Sequence, residues 1–299
     1  MGVLLQEVKA QTLAGNRLSG PSGVSRGLLE GEHRSMFHGR SLEFDDLRPY
    51  IPGDDVRDID WKASARSTDV LVKRFVSYRQ QRVLMVVDLG RNMLALAAGG
   101  EVKQRVVLNA VGLVGLIAIS KGDEMGLVYG DATGSAHMPN RRGEAHLEHV
   151  LERVNRHQVA DSARSELATQ LDYVQQHFRR RHIVFVISDE PDVSPLLAEQ
   201  FRKVGARHDV YWITVRDAPL IGVPAFGGEG YDVESGRTLL REEILGHRVL
   251  EAYRRAEAQR EAAFAEYVDS SAIPCARVSA SGELFGAVTL MLKKASRGK

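Results

Sequence analysis

Four short runs of almost unbroken apolar residues, each separated from the next by helical patterning, constrain this chain more than anything else in its sequence. They are VLMVVD at 83–88, MGLVYG at 125–130, HIVFVISD at 182–189 and DVYWITV at 209–215. A strand that alternates apolar and polar residues buries one face. A strand apolar throughout buries both, as in a parallel sheet covered by helices on each side. Residues 101–120, 142–157, 165–178 and 195–205 supply those helices, with apolar positions at helical spacing. Beyond them come a glycine-rich, hairpin-like stretch (222–240), a long helix (247–268), a strand (275–278) and a terminal helix. That last helix carries Leu284, Val288, Met291 and Leu292 on one face. The reading is α/β: three layers, with a mostly parallel sheet between helices.

In such a sheet, ligands and partners meet the carboxyl ends of the strands. Two runs end there in an aspartate, Asp88 in VVDLGRN and Asp189 in VISDEPD. One such residue is as readily a helix cap. A pair at equivalent edges favours a site.

Composition narrows the function classes. Lys and Arg number 40 against 39 Asp and Glu, a formal charge of +1, so no bulk field steers the chain onto nucleic acid or an anionic membrane. Short basic runs such as Arg179–Arg181 read as helix-end features. A single cysteine, Cys275, excludes an internal disulfide or thiolate cage and fits a reducing compartment. The most apolar stretch, 106–119, falls short of the ~20 residues that span a bilayer. The first 18 residues carry Leu4, Leu5, Val8 and Leu13 at helical spacing, with Glu7 and Lys9 among them, and do not read as a signal peptide. The expected location is cytoplasmic. No phosphate-binding glycine loop and no nucleophile elbow occurs. His146 and His149 lie three apart on a helix, and exposed histidines are the expectation there rather than metal ligands.

Residues 40–74 have another character. Arg40, Arg48, Arg57, Lys62, Arg66, Lys73 and Arg74 interleave with Glu43, Asp45, Asp46, Asp54, Asp55, Asp58, Asp60 and Asp69. Phe44, Tyr50, Ile51, Ile59 and Trp61 stand among them at irregular spacing. The expectation is a structural arm with an exposed interaction edge. Its aromatic and aliphatic residues would anchor it to the sheet domain, and bidentate Arg–Asp pairs would fix its path. Pro49 and Pro52 with Gly53-Asp54 read as a tight turn. The expected division is 1–79 for the N-terminal helix and arm, and 80–299 for the sheet domain.

The stretch GRSLEFDDLRPYIPGDDVRDIDWKASAR (39–66) resembles the signature of domain of unknown function 58. The matching positions include Glu43, Phe44, Leu47, Arg48, Tyr50, Gly53, Asp54, Asp55, Arg57, Ile59, Asp60, Trp61, Ser64, Ala65 and Arg66. The strands ending in Asp88 and Asp189 resemble that family's von Willebrand factor A-like domain. The resemblance implies a Rossmann-like sheet with helices on both faces, an N-terminal charged arm, and a bacterial protein working with a MoxR-type AAA+ ATPase or its client.

Metal-binding members of the A-like fold follow their first strand with D-x-S-x-S, and later loops add a Thr and an Asp. Here the motif reads Asp88-Leu89-Gly90-Arg91-Asn92. Gly90 offers no side-chain oxygen, Asn92 offers an amide, Ser162 or Ser165 stands near the Thr position, and Asp189 fits the late Asp. Asp88, Asn92, Ser165 and Asp189 would make a degenerate site, a poor cage for an octahedral Mg²⁺, with the cation of Arg91 beside it. No resident cofactor is expected. The function expected is a non-enzymatic adaptor, with Asp88, Asn92, Asp189, Arg48, Asp54, Asp55, Arg57, Asp60, Trp61 and Arg66 facing the partner. The alternative is a metal-dependent hydrolase using Asp88, Asp189 and the acidic arm.

Overall fold

The computed structural model describes residues 2–18, 42–77, 80–157, 163–219, 233 and 247–297. The glycine-rich stretch and Ser162 lie outside these, apart from Val233 in the former. The chain forms two compact units, His33–Gln81 and the remainder.

Helix α1 (Val3–Leu18) belongs with the larger unit, although the sequence reading grouped it with the arm. Leu5 and Val8 are buried, and the Glu148 carboxylate accepts the amides of Leu4 (3.3 Å) and Leu5 (2.9 Å). A carboxylate there meets both the orphan donors and the positive end of the helix dipole.

The smaller unit is a hairpin with an elaborate loop. Strand β1 (Leu42–Pro49) pairs antiparallel with β2 (Leu71–Ser77), Leu42 opposite Ser77 and Pro49 opposite Leu71. Between them lie a turn and a single helical turn, α2 (Trp61–Ser64). Arg48 grips Asp54 with two hydrogen bonds of 2.7 and 2.6 Å, and Asp54 also accepts the Ile51 amide at 3.0 Å. The expected tight turn is present, with Gly53 at φ +113°, a left-handed value that favours glycine. Ile59 is buried and bridges to Val72. Trp61 and Ile51, however, are 68% and 59% exposed, so they are not the buried anchors expected. The reason is local. Ser64 of α2 accepts the Leu71 amide at 2.8 Å and bonds back to the Asp60 carbonyl, so this side of the helical turn faces the hairpin and Trp61 is left in solvent.

The larger unit holds a six-stranded sheet. Its elements run β3 (Arg82–Asp88), α3 (Lys103–Ser120), β4 (Glu124–Asp131), β5 (Gly134–Arg141), α4 (Glu144–His157), α5 (Leu167–His177) and β6 (Ile183–Asp189). They continue with α6 (Pro195–Gly205), β7 (Asp209–Val215), α7 (His247–Ser271), β8 (Cys275–Val278) and α8 (Leu284–Arg297). The strand order is β5-β4-β3-β6-β7-β8, parallel except for β5 at the edge. The sequence reading did not contain β5. Its sequence, GSAHMPNR, has little strand propensity, and Pro139 is tolerated only because the strand has a free edge.

Alternation along the strands divides the core. Leu84, Val86, Val184, Val186 and Trp212 pack with apolar residues of α5, α6 and α7 on one face. Helices α1, α3, α4 and α8 pack against one another on the other, where α3 also touches the central strands. Helix α3 is long and apolar enough to cross a bilayer, but 67% of it is buried inside the protein. His149 is exposed as expected, whereas His146 is buried with its Nε2 3.0 Å from the Met125 carbonyl. Cys275 is half-buried, and burial pushes its thiol up to about 12.

Candidate functional site

The chain reverses direction at β3. From there it passes through α3 to β4 on one side, and later returns to β6 on the other. The connections after β3 and β6 therefore leave the sheet in different directions, which makes the carboxyl ends of these two strands the topological switch point where such sheets place their sites. Asp88 and Asp189 are the last residues of those strands.

Both are buried, at 1% and 5% exposure. Asp88 accepts the Gly90 amide at 3.0 Å, and the Ser165 hydroxyl also bonds to it. Gly90 is required by close approach: a Cβ there would lie 2.4 Å from the backbone N and Cα of Ser165. The Arg91 amide donates to the Ala163 carbonyl at 2.7 Å and locks the two loops together. Asn92 turns its Nδ2 to Asp189 Oδ2 and accepts from Ser165 Oγ on its Oδ1. The structure thus brings together all four residues of the expected degenerate site.

It also adds two that sequence reasoning missed. Lys103, only 1% exposed, points its ammonium into the cluster, 3.3 Å from Asp189 Oδ2 and in contact with Asp217 Oδ1. Lys103 is the first residue of α3, the end where the helix dipole disfavours a cation. That misplaced charge, at the head of an otherwise apolar helix, was the available signal. Asp217 follows β7 and is also met by Arg260 Nη1 at 3.7 Å.

The electrostatics follow from this arrangement. Burial works against the Lys103 ammonium, but Asp189 and Asp217 outweigh it and hold the lysine above its ordinary value. Burial and the neighbouring Asp189 charge push Asp88 up to about 7. Burial also raises Asp189, against the pull of Lys103. Lys103 lies against both Asp189 and Asp217, and Arg260 meets Asp217 as well, whereas no cation touches Asp88 among the described residues.

A divalent metal does not fit this donor set. Octahedral coordination needs oxygens turned to one point. Here the Asn92 oxygen is engaged by Ser165, Asp189 Oδ2 carries both Asn92 and Lys103, and a fixed positive charge stands among the carboxylates. With Lys103 in place, no group of three His, Cys, Asp or Glu side chains among the described residues could hold an ion.

The family profile described as "Protein of unknown function DUF58" matches residues 46–263, from within β1 to within α7. The chain belongs to the DUF58 family. It is also similar to an uncharacterized protein of Mycobacterium bovis and to uncharacterized proteins of two Mycobacterium tuberculosis strains. Each is 28% identical over 251 residues, covering 83% of this chain and 78% of the relative.

The DUF58 match spans both units, and the arm residues singled out from the sequence fall into two groups. Asp54, Asp55 and Asp60 act locally. Asp55 accepts the Arg57 amide at 2.9 Å, and Asp60 caps α2 by accepting the amides of Lys62 (3.1 Å) and Ala63 (3.0 Å). Arg48 closes the loop on Asp54. Arg57, Trp61 and Arg66 are exposed. At the sheet edge, Asp88 and Asp189 lie beneath the surface and Asn92 is half-buried, so a partner approaching there meets Asn92 and Arg91 before either carboxylate.

Proposed function

We propose that this DUF58 protein is a non-enzymatic adaptor, working in the cytoplasm with a MoxR-type AAA+ ATPase or its client in the assembly or remodelling of a protein complex. The observation that carries this reading is the surface of the arm. Of the nine large apolar side chains exposed among the described residues, four (Ile51, Val56, Trp61 and Val70) fall within one twenty-residue stretch. Exposed Arg57 and Arg66 stand among them. An aromatic anchor flanked by arginines and aliphatic residues is the composition of an interface core. Its rigid support comes from the Arg48–Asp54 fork and the capped turns beneath it.

The partner class comes from the sequence resemblance. So does the finer assignment of the sheet unit to an A-like domain, which the strand order, the switch point at β3 and β6, and the antiparallel edge strand support. The buried carboxylates give a hydrolase no metal cage, so the adaptor reading is preferred.

The test is capture of a purified MoxR-type ATPase, with the ATPase rate read alongside. The native chain is expected to retain the ATPase or change its rate, and Arg57→Glu with Arg66→Glu to lose both effects while remaining folded. Absence of capture and of any rate change, with both proteins well folded, overturns the proposal.

A further inference from the structure

The carboxyl edge of the sheet gathers three acidic side chains from three separate segments: the buried Asp88 and Asp189 at the ends of β3 and β6, and the partly exposed Asp217 after β7. Carboxylates kept ionised there require a cation. We infer that the Lys103 ammonium is that cation, built into the chain in the place of a divalent metal, so that the site is assembled and held without any bound ion. The geometry supports this on three counts. The ammonium touches two of the carboxylates, Asp189 and Asp217, which no other contact joins among the described residues. It is as buried as Asp88 and Asp189, at 1% exposure, so solvent does not share its neutralising role at Asp189, while Asp217 keeps 28% of its side chain exposed. Finally, Asn92 presents its amide nitrogen to Asp189 and reserves its oxygen for Ser165, the orientation a lysine-filled site permits and a metal-filled one would reverse.

The consequence concerns how the edge can be used. A metal with an open coordination position captures a carboxylate from a partner; a lysine whose ammonium is enclosed by its own carboxylates has no such position. The three segments are tied as one unit, and recognition at this edge rests on the shape and hydrogen bonding of the Asn92 loop. This holds independently of which partner, if any, binds there.

Removing the lysine should uncover the metal site that it fills. The experiment measures thermal unfolding and Mn²⁺ binding, by calorimetry, for the full chain and for Lys103→Ala. The native protein is expected to show no saturable Mn²⁺ binding at millimolar concentration and no shift in its midpoint. Lys103→Ala is expected to start with a lower midpoint and to recover several degrees with Mn²⁺ by mass action. That recovery should vanish when Asp189→Asn is added. Lys103→Ser, which shortens the side chain and supplies a hydroxyl ligand, should respond in the same way. If either variant fails to fold alone, refolding it with and without Mn²⁺ gives the same readout. Saturable one-site binding to the native protein that is lost in Asp189→Asn overturns the inference. So does indifference of both variants to Mn²⁺.

Discussion

The arm and the carboxyl edge of the sheet are both dense in charge, and they use it in opposite ways. In the arm, the side chains of Arg48, Asp54, Asp55 and Asp60 hydrogen-bond groups no more than six residues away, Asp60 also meets Lys73 at 3.8 Å across the hairpin, and the pairs are at least partly in solvent. At the edge, Asn92 reaches Asp189 across 97 residues from a half-buried position, and Lys103 reaches it across 86 with both groups buried. Local pairs shape a loop and leave its apolar side chains outside. Distant pairs hold separate segments together and leave little for another molecule to touch. The comparison teaches that charge density alone does not mark an interacting surface: at the edge it serves cohesion, and in the arm it is scaffolding for an apolar patch.

The sharpest way to break this contrast is to remove the buried cation. Lys103→Ala leaves the buried Asp189 without its cation and facing Asp217, which is only partly exposed. Loss of one partner of a buried pair costs ~3–5 kcal/mol. Denaturant unfolding should show that loss for the sheet unit. A loss below ~1 kcal/mol, the scale of an exposed pair, would place Lys103 with the surface charges of the arm and dissolve the comparison.

A smaller effect belongs to Asp88 and depends on pH. Its carboxyl stays protonated in the folded protein up to about 7, whereas an ordinary aspartate loses its proton near 3.8. Between those values the folded state binds more protons than the unfolded one, so Asp88 makes stability fall as pH rises. Asp88→Asn keeps an oxygen for the Gly90 amide and cannot ionise. The native midpoint should therefore decline across that window relative to the variant, and parallel curves would show that Asp88 is ionised throughout. Arg48 and Asp54 shift in the directions that keep both charged, raised and lowered respectively, because each hydrogen-bonds the other. That pair should contribute no comparable slope.

The same contrast explains what the sequence disclosed. Apolar runs of strand length are local information, so the buried strands were legible, with Asp88 and Asp189 at their ends. The Gly53 turn and the Arg48–Asp54 pair were legible because a few neighbouring residues determine them. Strand β5 was not: its pairing with β4 is imposed from outside a segment of weak propensity. Lys103 was hidden for a related reason. A lysine at a helix end ordinarily faces water, and nothing nearby in the chain announces that two carboxylates more than eighty residues away will enclose it. The signature aspartates were recognised as a group, but that Asp55 and Asp60 are caps emerges only from the backbone geometry around them.

The smallest expected effect tests the other half of the comparison. Trp61 is a large aromatic residue at the first position of α2, and a buried residue of that kind would cost ~3–5 kcal/mol on truncation. At 68% exposure it has little to lose. Trp61→Ser should change unfolding free energy by no more than ~0.5 kcal/mol, the range of ordinary surface substitutions. The cap on α2 comes from Asp60, which the substitution leaves intact. A loss several times larger would mean that the indole packs against protein in solution, and the arm's apolar residues would then be anchors after all. A stable variant would leave Trp61 as apolar surface that the fold does not use, available to a partner.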